Sequence, residues 1–396
     1  MGNHAKYYYL LPAIVLMMVL TSTKTYGQVY DSVFYRQDSS AVMYFHNQLN
    51  TAMPLQLRPI DTTLKDFEAY NPLDTTYLFY ASLGNVGLAY RNLNFDPKWH
   101  TGFDYGLKTF DAYLIKPEDI KYYLNAKPYT EIGYVTAKNK EQLFQARHQQ
   151  RVYRRLAVGM DFSLINSLGS YQRHKSDNYR LAATSQFFTT SLRYGIIGSY
   201  YNSRVKVREN GGIVYDSVYE QNLEPNRAII AIKLPNAENL ARRSGVYIQQ
   251  YFQLSRKQKT ALPDSLQPER KKLQFRFGRI AHSFHYEKNS MVYTDSRPDL
   301  NYYPNTYYDS TFTYDSVFFR KIENTFSWSN VDYLNRLKPQ PFMVEFGIKH
   351  QIAGVTDSIR ISEYQNLIPY GQIRISPHPF ISVNGSASFV LSDNEY

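Results

Sequence analysis

Apolar residues fall at every second position along Leu156, Val158, Met160, Phe162 and Leu164, and the positions between them carry Ala157, Gly159, Asp161 and Ser163. Period two with one apolar and one small or polar face predicts a β-strand whose two sides meet different surroundings. The alternation recurs over 190–200, 273–280, 342–352 and 381–391. These segments approach the roughly 9 to 11 residues of a tilted membrane strand, whereas soluble strands cluster near about 5 to 6. Lipid-facing positions are expected at Leu156, Val158, Met160, Leu192, Phe346, Ile348, Val383 and Phe389, and inward ones at Asp161, Arg193, Glu345, Lys349 and Ser386. Asn210-Gly211 between Val205/Val207 and Ile213/Tyr215 predicts a hairpin turn. A short helix is predicted over 235–244, with Pro235 near its start and Gly245 just past its end. Long connections are expected at 166–178 and 288–320. For the tyrosine-rich 301–309 within the second, folding into a pore, stacking on glycan and facing solvent all stay open. The string Tyr-Asp-Ser-Val at 30–33, 215–218 and 314–317 reads as a shared strand-entry device, and glycines inside strands as bulges or bends.

Where the chain is sent decides what the apolar faces meet. Residues 1–27 carry Lys6, an apolar run broken only by Pro12, and a polar stretch ending at Gly27. The run is about 14 residues, short of a spanning helix, so the segment reads as a secretory signal peptide. Without cysteine in 396 residues, disulfides, thiolate metal sites and lipidation at a processed Cys are excluded. No later stretch reaches helical spanning length, so membrane crossing requires strands closed into a barrel. Mean hydropathy is −0.48 although 38 Tyr and 23 Phe are present, a combination that suits lipid-facing residues diluted by a wet interior and loops. Residues 28–75 lack clean period and read as a periplasmic lead-in, too short for a plug domain, with the barrel occupying 76–396.

Leu83-Gly84-Asn85-Val86-Gly87, Pro128-Tyr129-Thr130, Glu141-Gln142-Leu143-Phe144 with His148-Gln149, and Glu209-Asn210-Gly211-Gly212-Ile213 resemble, in that order, the putative porin family of the Bacteroidetes outer membrane. The resemblance runs from about Asp61 to the C-terminus. It implies an outer-membrane β-barrel acting as a passive channel, with no catalytic residues to carry over. Gln150 stands where the family often has Asn, and members of the family are usually longer.

Candidate enzyme chemistry does not assemble. Leu83 to Gly87 lacks the Gly-Lys-Ser/Thr of a phosphate loop. His282 and His285 are three apart, which on a strand places them on opposite faces and excludes joint metal binding. Ser283 and His285 share a face without an acid to orient the histidine. The net charge of +11 becomes +9 once Lys6 and Lys24 leave with the signal. No basic run or nucleic-acid motif accompanies it, so nucleic acid is not an expected partner.

The sequence therefore predicts an all-β protein, an exported antiparallel transmembrane β-barrel of the outer-membrane type that conducts small hydrophilic solutes, with a weak anion preference. Pore-lining candidates are Asp161, Arg193, Arg276, Glu345, Lys349 and Arg374. No cofactor or metal is expected; membrane lipid, lipopolysaccharide and the barrel assembly machinery are the expected partners. A non-conducting surface barrel that binds glycan or protein, and a soluble β-sandwich lectin, remain as alternatives. The last alternation stops at Leu391 and Ser392-Asp393-Asn394 reads as a polar loop. About ten to twelve strands are expected between Thr76 and Leu391, so that either further C-terminal strands complete the wall, the favoured expectation, or 381–391 pairs with a first strand near Tyr77 to Tyr90 in a smaller barrel.

Overall fold

The computed structural model describes residues 42–47, 57–61, 63, 70–76, 79–95, 101–104, 106–125, 127–254, 278–303, 305, 309–331, 342–357, 360–378 and 381–392. The expected signal peptide, the first Tyr-Asp-Ser-Val string and the alternation over 273–277 lie outside these residues. The chain begins with small elements. Strands β1 (Met43–His46), β2 (Arg58–Pro59) and β5 (Lys121–Leu124) form one three-stranded sheet in the order β2-β1-β5. Between them come a short helix α1 (Pro72–Thr76) and the pair β3 (Tyr80–Ser82) and β4 (Tyr90–Asn92).

The large sheet starts only at Tyr129. It comprises β6 (Tyr129–Ala137), β7 (Glu141–Tyr153), β8 (Leu156–Ser167), β9 (Ser176–Phe188), β10 (Tyr194–Glu209), β11 (Ala237–Gln253), β12 (Arg279–Asp295), β13 (Thr313–Ser329), β14 (Phe342–Thr356), β15 (Ile361–His378) and β16 (Ile381–Ser388). Each strand pairs antiparallel with its sequence neighbours. Among the described residues β6 and β16 are not paired with each other, so the sheet shows two free edges. Strand β17 (Leu391–Ser392) continues along β15 in the register of β16: Ser388 faces Tyr370 and Ser392 faces Asn366. Ser392 thus extends the last strand instead of opening a loop.

Alternation sorts the wall into two faces. Outward side chains include Ile132, Tyr134, Tyr200, Ile248, Phe252, Ile280, Phe326, Phe346, Ile348, Ile373 and Val383, all exposed. A soluble protein does not show so large an apolar surface, whereas a membrane wall requires it. Leu156, Val158 and Met160 share the outward parity, while Asp161, Glu345 and Lys349 face in. Phe389, just past β16, is also exposed.

Several local expectations are overturned. Leu192 is 5% exposed and sits at φ 55 in the turn before β10, so it does not face lipid; the turn residues 189–193 merely continue the sequence alternation. The predicted helix over 235–244 is the start of β11, because pairing with β10 and β12 outweighs local helix propensity. After Glu209 the chain turns at Gly211 (φ 65) and Gly212 (φ 90), and Ile213 bridges Ile232 in an outer loop, not β10. Residues 288–295 and 313–320 are strand, which shortens the predicted loop to 296–312. At the end where β6 begins, here the proximal end, β7 is joined to β8 by 154–155; at the distal end the connections include the short 138–140 and the long 210–236.

Glycines on the inner face do not mark bulges. Register shifts occur between Arg151 and Tyr153 and between Ile375 and His378, whereas Gly245 and Gly347 lie in unbroken ladders. A Cβ at Gly245 would meet the Tyr201 hydroxyl at 2.4 Å, and one at Gly347 the Tyr370 ring at 2.5 Å. These glycines give room for a tyrosine from the next strand to lie across the backbone, a cross-strand aromatic–glycine pairing.

Candidate functional site

The inner face of the wall is occupied by the chain's own N-terminal part. Two apolar clusters join them. Near the proximal end Phe45, Ile115, Ile120, Tyr122 and Leu124 pack on Ala182, Ile197, Tyr201, Tyr251, Ala281, Val331 and Met343. Toward the distal end Leu73, Val86, Leu88, Tyr90, Phe110, Tyr113 and Leu114 pack on Leu143, Ile165, Val205, Val207 and Ala241. The described residues between 42 and 125 thus behave as an internal plug. The wall curls around it, since contacts from this one segment reach from β7 to β16.

Polar contacts fix its position. Asn85 accepts from the Ser167 hydroxyl and donates to the His174 carbonyl (2.9 Å), while Ser176 and Asn178 donate to the Val86 and Gly87 carbonyls at 2.6 and 3.1 Å. Gly84 and Gly87 adopt φ near +85°, which presents those carbonyls to the wall. Ile115 N–H donates to the Ser203 hydroxyl at 3.2 Å, and Gln186 and Gln149 donate to the Tyr123 carbonyl. On the far side Phe103 N–H donates to Gln351 (3.0 Å), its ring stacks on Tyr364, and Thr101 meets Ser388 of the edge strand.

At the centre lies a buried ion pair. Arg243 of β11, 4% exposed, donates to Asp111 of the plug at 2.7 Å and to Asn289 at 3.1 Å; Asn289 in turn donates to Glu287 at 2.8 Å. Tyr201 donates to Glu287 at 3.0 Å and lies 2.8 Å from His285 Nε2. Lys116 is 3.3 Å from the other Asp111 oxygen. Burial opposes its charge, but Asp111 outweighs that and raises the Lys116 pKa.

A polar cavity of about 160 Å³ remains between plug and wall, lined among others by Asp119, Lys121, Arg147, Asp161, Arg180 and Thr184. Arg147 holds Asp161 at 2.7 Å and Glu131 at 2.9 Å. A volume of this size holds on the order of ten waters or a small solute.

The six predicted pore-lining residues fare differently. Asp161 lines the cavity in its pair with Arg147. Glu345 points inward but is fully buried and accepts from Tyr370 at 3.0 Å. Lys349 points inward and pairs with Glu323 at 3.5 Å. Arg374 shares the inward parity and donates to Ser382 at 3.1 Å. Arg193 belongs to the turn before β10 and is not part of the wall, and Arg276 lies outside the described residues. Arg243, Glu287, Arg147 and Arg180 were not singled out in the sequence. The helical reading of 235–244 hid the parity of Arg243, and nothing in 79–125 announces residues that dock inside a wall.

His46 packs in β1 beside Lys121 of β5. Burial, with Lys121 and Arg58 nearby, holds its imidazole below the usual range. The undocked histidine titrates near about 6.5, so docking is favoured above that pH and weakens as pH falls below it. Hydrogen exchange of residues 43–46, corrected for the intrinsic pH effect, is expected to rise from pH 7.5 to 5.5 in the wild type and not in His46→Gln.

A family model described as "Putative porin" matches residues 43–392. A search of curated proteins returns no match.

Proposed function

Since the chain belongs to the family described as "Putative porin", we propose that it is an outer-membrane channel through which small hydrophilic solutes diffuse passively. The carrying observation is the two-faced wall, apolar outside, with a charged cavity of about 160 Å³ left between its inner face and the plug. Export by the N-terminal segment 1–27 delivers it to that membrane. The plug lies within the wall, so passage is by a narrow polar route and unit conductance is small. One observation favours a second reading, a non-conducting surface barrel: both apolar clusters and the Asp111–Arg243 pair seal plug to wall. Purified full-length protein in planar bilayers decides between them. Small discrete current steps support the channel; a silent, inserted barrel supports the alternative.

By strand parity the inner face of the wall carries Arg147, Arg151, Arg180, Arg243, Arg279, Lys321, Lys349 and Arg374, eight cations. Against them stand Glu131, Glu141, Asp161, Glu209, Glu287, Asp295, Asp315, Glu323 and Glu345, nine acids. These nearly equal numbers speak against the weak anion preference expected from the sequence. A reversal potential near zero in a salt gradient is expected, and strong selectivity of either sign counts against passage along this face.

A further inference from the structure

The outer face changes character along single strands. On β10 the outward residues run Tyr194, Ile196, Gly198 and Tyr200, then Asn202, Arg204, Lys206 and Arg208, while Val205 and Val207 turn inward. On β11 Val246, Ile248 and Phe252 give way to Ser244 and Arg242; on β12 Phe284 and Tyr286 to Lys288; on β13 Ile322 and Phe326 to Arg320. Among the described residues every outward Lys or Arg of the wall lies on these four adjacent strands, at the distal edge of the apolar belt.

Register makes the arrangement unusual. Arg204 is directly opposite Arg242, and Lys288 directly opposite Arg320. Like charges facing each other across strands destabilise a sheet. Arg204 is offset by Asp177 at 3.4 Å and stacks over Tyr179, and Arg320 has Glu363 at 3.7 Å. Arg242 and Lys288 are exposed and have no anionic partner among the described residues. Strands are about 4.8 Å apart, so the four cations span roughly 14 Å, beyond the reach of one phosphate.

We propose that Arg204, Arg242, Lys288 and Arg320 bind a diphosphorylated lipid of the lipid A type, with its phosphates between the two cation pairs and its acyl chains along Tyr200, Val246, Tyr286 and Ile322. Basic side chains just beyond an apolar belt meet headgroup phosphates. The leaflet follows from chain direction. Met43 and Tyr44 pair with Leu124 and Tyr123 at the proximal end, so the first described strand of the plug starts on that side. A barrel inserted from the periplasm keeps that side inside and turns the distal end toward the outer leaflet. The assignment rests on the membrane reading of the wall and is independent of whether solutes pass.

The test is native mass spectrometry of the detergent-purified full chain with added lipid A, its monophosphoryl form, or phosphatidylglycerol. Wild type is expected to retain lipid A preferentially, and increasingly less as salt rises. Arg242→Gln with Lys288→Gln, both exposed, is expected to bind lipid A about thirtyfold more weakly, the loss due to two interfacial cations, while Lys140→Gln on the 138–140 turn leaves it unchanged. Equal retention of all three lipids, salt-independent binding, or unchanged affinity of the double variant overturns the proposal. A protein that stays monodisperse without detergent overturns the membrane reading instead.

Discussion

Replacing Asp111 by Ala is expected to loosen the plug by about 3 to 5 kcal/mol, the usual cost of stripping one partner from a buried ion pair. Arg243, 4% exposed and with Lys116 nearby, would lose the carboxylate it contacts directly while keeping its bond to Asn289. The expected readouts are faster proteolysis within 101–125 and larger or more frequent conductance steps than wild type. Asp111→Ala combined with Arg243→Met removes both charges and is expected to recover much of the docking, because the stranded cation is gone. If Asp111→Ala conducts and resists protease like wild type, the pair does not hold the plug. Recovery in the double variant separates loss of docking from general misfolding.

Arginine at Ile348 or Val158 is expected to cost about 2 to 4 kcal/mol of folding stability in lipid, since both point outward within the apolar belt. Asn202→Arg, on the same outer face but at the level where the belt gives way to Arg204, is expected to cost little. Ser163 is unsuitable as an inward control because it faces Arg180 across the β8–β9 ladder, where a new cation would add repulsion. Urea unfolding of liposome-reconstituted variants measures the differences. Equal destabilisation at 348 and 202 would remove the depth dependence on which the wall assignment rests.

The wall was legible where alternation was undisturbed: Leu156 to Leu164, Phe342 to Ile352 and Ile381 to Ser388 became strands with the expected parity. It failed where local propensity and tertiary pairing disagree. Tyr-Asp-Ser-Val illustrates this directly, since Asp216–Glu220 forms a short helix (α2) whereas Tyr314–Val317 sits inside β13. The same four residues follow whichever ladder is at hand. The plug was illegible for a different reason. Its strands are short, and the faces it buries are recognisable only once Val205, Val207 and Ile197 are seen pointing inward, against the polarity expected of a wet lumen. A charged site also divides unevenly: parity alone placed Asp161, Glu345 and Lys349, but their partners Arg147, Tyr370 and Glu323 come from neighbouring strands whose register the sequence does not print.

Plug and wall are one polypeptide, and the connection from Leu124 at the end of β5 to Tyr129 at the start of β6 is very short. A plug that detaches therefore stays tethered at the proximal end and faces its seat at a high effective concentration, in the millimolar range or above for short linkers. Reseating is a unimolecular event that does not dilute away, so an opened state persists only while something competes for the seat or loosens it. Displacement toward the outer end is opposed by the same tether, which makes any opening a swing about residues 125–128 and gives it a direction.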